Sequence, residues 1–158
     1  KKIFFHALSS AVFHFSSEDF EQIEKLFKGE RNEEVILEID SCKHSLELKI
    51  DLLEKYNVDK KFYQLVSVIS NQVVKEFVVS PTYSRIFESP DKQSVIQEYL
   101  VDYLDEDECY EIAEIFDEKL KQYLMDNFSD DFDFMSNIFN LCVVFTSDLD
   151  NKKFYQAK

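Results

Sequence analysis

The chain reads as a mainly α protein, a single compact helical domain over residues 1–158 with six to eight helices, on three observations. It contains one glycine and two prolines, where average usage would place roughly eleven and eight. Tight hairpins, nucleophile elbows and phosphate-cradling loops rely on glycine, so such a chain favours helices joined by short polar turns. Apolar residues recur at helical spacing along much of the sequence. Hydrophobic residues make up 45%, with 16 phenylalanines, which is ample material for one core.

Residues 3–15 are apolar with weak periodicity and fit a buried helix or a strand. Ser16 is placed to cap the next helix, with Phe15 and Phe20 as a hydrophobic staple, Phe20, Ile23 and Phe27 on one face, and Gly29 at its end. The stretch 34–52 is ambiguous. Val35, Leu37 and Ile39, then Leu46, Leu48, Ile50 and Leu52, alternate as strands would. Ile36, Ile39, Leu46, Ile50 and Leu53, with Cys42 nearby, also fit a helical stripe. The only candidate turn, "SCKH", lacks Gly, Pro, Asn and Asp, so one long helix is favoured over an α+β alternative with a hairpin here.

From Asp59 onward, Phe62, Leu65, Val66, Ile69, Val73 and Phe77 keep helical spacing. Ser80-Pro81 and Ser89-Pro90 each look like a cap followed by proline at the first helical position. Val95, Ile96, Tyr99, Leu100, Tyr103 and Leu104 then predict a helix, and Ile112, Ala113, Phe116, Leu120, Tyr123, Leu124 and Phe128 form the cleanest amphipathic stripe. Ser129 is expected to cap a last helix carrying Phe134, Ile138, Leu141, Cys142 and Phe145.

The catalytic inventory is mostly empty. The sequence has no P-loop, GxGxxG, GxSxG, HExxH or CxxC, and no Glu-x-x-His pair for a di-iron site. "DNFSDDFDFMSN" lacks the central glycine and final glutamate of a calcium loop. Asp40, His44 and Glu47 would share a helix face near Cys42, but a solvated surface explains them better than a metal. His6 and His14 read as core or interface residues. The expectation is a protein without enzymatic activity, cofactor or metal. Cys42, Cys109 and Cys142 are scattered and odd in number, as in a reducing compartment. The N-terminal "KKIFFHALSSAVFHF" is interrupted by histidines and reads as part of the fold rather than a signal peptide. No stretch nears the ~18 apolar residues of a membrane span, so a soluble, cytoplasmic protein is expected.

Charge carries the most functional information. The net charge is −14, from 32 acids against 18 bases. Nucleic acid and anionic membranes repel such a chain, whereas basic proteins attract it. Residues 98–133 hold fourteen acids against Lys119 and Lys121, so −12 of the net −14 sits there. Part of this is helix-end chemistry: Asp105 and Glu108 fit a capping box, and Glu106 and Asp107 complement the helix dipole. Glu111, Glu114 and Glu118 lie beyond that explanation, opposite the Ile112–Phe116–Leu120 stripe, at spacings where like charges repel.

With Asp117 and Asp102, these glutamates form the expected partner-binding surface, and Tyr99, Tyr103 and Tyr110 are its candidate aromatic anchors. The expected function is inhibition of a basic protein, most concretely by an immunity protein that occludes a cognate antibacterial nuclease toxin. The alternative is a helical scaffolding or adaptor module, viral or phage in character, that binds a protein partner through an apolar groove.

Overall fold

The computed structural model describes residues 17–27, 32–77, 83–101 and 104–147. They group into two units, one within Lys1–Lys55 and one within Tyr56–Lys158. The expected elements at residues 3–15, Phe15 and Ser16, Gly29 and Ser80-Pro81 lie outside the described residues.

The first unit contains α1 (Ser17–Leu26) and α2 (Glu33–Lys55). Phe20 is buried, Ile23 and Phe27 are half-buried and Leu26 is exposed, which is the expected face of α1. Lys43 of α2 reaches Glu24 of α1 at 3.4 Å. The ambiguous stretch is one continuous helix, so the hairpin alternative does not form. Its buried residues, Val35, Ile39, Leu46, Lys49 and Leu53, recur three or four residues apart with half-buried Cys42 between them. Leu37 and Leu48, which completed the strand-like alternation, are exposed. Burial pulls the Lys49 ammonium down to about 8.

In the second unit, Asp59 starts α3 (Lys60–Phe77): its carboxylate accepts from the backbone N–H groups of Lys61 and Phe62 at 2.7 and 3.1 Å. A three-stranded sheet follows in the order β1 (Tyr83–Glu88), β2 (Val95–Val101), β3 (Leu141–Ser147). β1 and β2 are antiparallel, with Arg85 opposite Glu98. β2 and β3 are parallel, from Val95↔Leu141 to Val101↔Ser147. Between them run α4 (Glu106–Phe128), the short α5 (Phe132–Ser136) and a 3-10 turn (Asn137–Phe139).

Three stretches predicted as helix, after Ser80-Pro81, after Ser89-Pro90 and at the end of the last helix, are therefore strands, and five α-helices stand among the described residues where six to eight were expected. Ser89-Pro90 opens a hairpin turn instead of a helix. The Lys92 N–H donates to the Ser89 carbonyl at 2.9 Å, and the Ser89 hydroxyl accepts from the N–H groups of Gln93 and Ser94. Lys92 takes the left-handed conformation, φ 55°, usually given to glycine or asparagine. β2 misled because both its faces are largely covered, which erases the two-residue period that marks a half-exposed strand. Asp131, rather than Ser129, caps α5, accepting from the Phe134 N–H at 2.9 Å. Leu141 onward is "LCVVFTS", whose β-branched run suits a strand.

The core lies between α3, α4 and one sheet face. Val95, Gln97, Tyr99 and Val101 point alternately into it from β2, each at most 3% exposed. Tyr99 stacks on Phe145 at 5.4 Å, and Phe116 of α4 meets Phe145 edge-on at 5.6 Å. Phe62 meets Phe134, which stacks on Phe128 at 4.2 Å. On the opposite sheet face, Glu98 is only 7% exposed and accepts from Arg85 and from the Thr146 hydroxyl.

Gln97 has its amide carbonyl satisfied from α3, where the Tyr63 hydroxyl donates to it at 2.6 Å. Tyr63→Phe removes that donor inside the core and is expected to cost about 1–2 kcal/mol in urea unfolding. Adding Gln97→Leu to that variant should recover most of the loss, because the orphaned acceptor goes with it.

Candidate protein-interaction surface

The surface is built on α4, whose start is held as the sequence predicts. The Asp105 carboxylate accepts from the Glu108 N–H at 2.9 Å, and Glu108 returns the bond to the Asp105 N–H at 3.0 Å. Glu106 and Asp107 occupy the same first turn, where the free N–H groups favour negative charge. Cys109, Ile112, Phe116 and Leu124 fix the buried side of the helix.

That burial turns Glu111, Glu114, Asp117 and Glu118 to the exposed side. None of the four forms an ion pair among the described residues. Lys119, the base nearest in sequence, reaches across to Glu76 of α3 at 2.5 Å. Glu114 therefore has Glu111 three residues before it, Asp117 three after and Glu118 four after, all acidic neighbours on one helix surface. Tyr110, 72% exposed, stands one turn before Glu114.

The remaining predicted positions separate. Asp102 and Tyr103 lie outside the described residues. Tyr99 is a correction: at 3% exposure it belongs to the core, stacked on Phe145, and offers no aromatic surface. Glu98, counted in the acidic block, is held inside by Arg85 and Thr146.

Two exposed aromatics escaped the sequence reading. Phe132 and Phe139 are each 77% exposed, just beyond the end of α4. Their signal was available, since both fall off the apolar stripe assigned to the last helix. A shallow open depression of about 800 Å³ is lined by residues 126–133, including Asp126, Asp130, Asp131, Phe132 and Asp133.

The chemistry-bearing side chains are subdued. Burial raises the Cys42, Cys109 and Cys142 thiols, and carboxylates add to it: Glu38 at Cys42, Asp105, Glu108 and Glu106 at Cys109, and Asp117 at Cys142. Such thiols stay protonated and are poor nucleophiles. Asp40, His44 and Glu47 are exposed on α2, and no group of three metal-binding side chains gathers among the described residues. No helix among them is long and apolar enough to cross a membrane.

Glu114→Lys replaces three repulsions with three attractions and should raise stability by about 0.5–1 kcal/mol in chemical denaturation. Asp117 has its carboxyl pushed above the usual range by desolvation. Its effect on stability is complete below the ordinary aspartate value and is lost as pH rises through the raised one. Asp117→Asn should therefore match the parent in acid and exceed it near neutrality, by no more than about 0.5 kcal/mol for so exposed a group. Paired thermal melts across that range check the sign. Comparison of the chain with protein-family models, curated proteins and solved structures returns no significant match.

Proposed function

We propose that the chain is a non-enzymatic acidic inhibitor of a basic protein, most concretely a cytoplasmic immunity protein that neutralises a cognate antibacterial nuclease toxin. The observation that carries this reading is the exposed row Glu111, Glu114, Asp117 and Glu118, none of which forms an ion pair among the described residues while Lys119 is drawn to Glu76. Four residues of helix rise about 6 Å, so the row presents carboxylates at a pitch that lysines and arginines on a nucleic-acid-binding cleft can meet.

Inhibition follows by occlusion. The acidic face covers the cationic cleft and shuts out the anionic substrate. Charges at the rim chiefly speed the encounter, while buried contacts at the centre slow release.

The test is capture of partners from lysate at low and high salt, with the parent chain and with a Glu111→Lys, Glu114→Lys, Glu118→Lys variant. A basic partner should be retained at low salt and lost at high salt. The variant should associate with it about tenfold more slowly or worse. Retention of a partner that ignores both salt and charge reversal would instead support the adaptor reading. Recovery of no basic partner at low salt would sink the proposal.

A further inference from the structure

The acidic row supplies charge but little apolar contact, and the tyrosine expected to anchor it from β2 is in the core. Long-lived complexes need anchors, large apolar side chains that lose their water on binding. Of the large hydrophobic residues exposed among the described ones, Tyr123, Met125, Phe132, Ile138 and Phe139 fall in the single segment from the last turns of α4 through α5 and the 3-10 turn. Exposed apolar residues gathered in one segment suit an interaction surface better than single scattered ones do.

The segment is tied to the fold by side-chain contacts. Phe128 and Phe134, from the same segment, stack on each other, and Phe134 packs against Phe62 of α3. Asn137 is buried, accepts from the Asp59 N–H at 2.6 Å and donates to the carbonyls of Asp133 and Phe134. The inward aromatics thus hold the outward ones in place. The charge around them has one sign: Asp126, Asp130, Asp131 and Asp133 are exposed, and no lysine, arginine or histidine occurs from Gln122 to Asn151.

We propose that the segment Tyr123–Phe139 is a docking surface for a cationic amphipathic segment of the partner, with Phe132 and Phe139 as its apolar anchors and the flanking aspartates meeting its lysines or arginines. Charge complementarity selects this occupant: a second copy of the chain would bring acid to acid, and a purely apolar helix would bring no positive charge to the flanking aspartates. The inference rests on the reading above that the partner is basic.

The test uses the full chain with two synthetic probes of equal length and charge, an amphipathic Leu/Lys helix and a Gln/Lys peptide. Fluorescence anisotropy reads affinity at low and high salt, and hydrogen exchange reads location. The Leu/Lys probe should bind about tenfold more tightly than the Gln/Lys probe and protect residues 123–139, and Phe132→Ser with Phe139→Ser should abolish that difference. Both side chains are largely in water, so the double variant should keep the parent's melting temperature.

Equal affinity for both probes in the parent, with ordinary salt dependence, would overturn the anchor assignment and leave the acidic reading standing. Failure of both probes to bind at low salt would overturn the acidic reading and this inference together. Self-association relieved by the double variant would assign the surface to a second copy and overturn the cationic occupant.

Discussion

The parallel pairing of β2 with β3 is the constraint on which the second unit depends. Two parallel neighbours cannot be joined by a hairpin, so the chain must return along the sheet before β3 begins. Residues 102–140 make that return, and α4 is most of it. A helix in that position has one side committed to the sheet and to α3, through Phe116 on Phe145 and Lys119 on Glu76. Its other side is committed to solvent. The outward position of Glu111, Glu114 and Glu118 is thus a consequence of strand topology as much as of helical periodicity.

The acidic surface was more legible in the sequence than the sheet that positions it. Helical signals were strong in α1, α3 and α4, which all show the apolar spacing that burial of one side demands, whereas in α2 the exposed Leu37 and Leu48 added a strand-like alternation. The capping box at Asp105 and Glu108 could be read residue by residue, because it depends on contacts three positions apart. β2 could not, since Val95 through Val101 are covered on both sides and no period remains. β3 pairs with a strand about forty residues away, a relation that no local pattern carries.

Low glycine content also misled, for a specific reason. The inference that few glycines mean few hairpins assumes that positive φ is reserved for glycine. Here Lys92 takes that conformation, and the Ser89 hydroxyl organises the turn around it, donating to Asp91 and accepting from two backbone N–H groups. Side-chain hydrogen bonds from Ser and Asp substitute for glycine's freedom. The same displacement of Ser89-Pro90 from helix start to turn moved Tyr99 from a helix surface to the core, and with it an expected anchor of the interface.

The clamping of α4 also affects the entropy of any encounter. Exposed acidic helices are often loosely held, and a partner must then restrict backbone motion as well as side chains on contact. The α4 backbone is fixed by its cap at Asp105 and by Ile112 and Phe116 beneath it. Its carboxylates therefore keep their spacing before anything arrives, and only rotamer freedom remains to be lost. In that sense the strand pairing below the helix preorganises the surface above it.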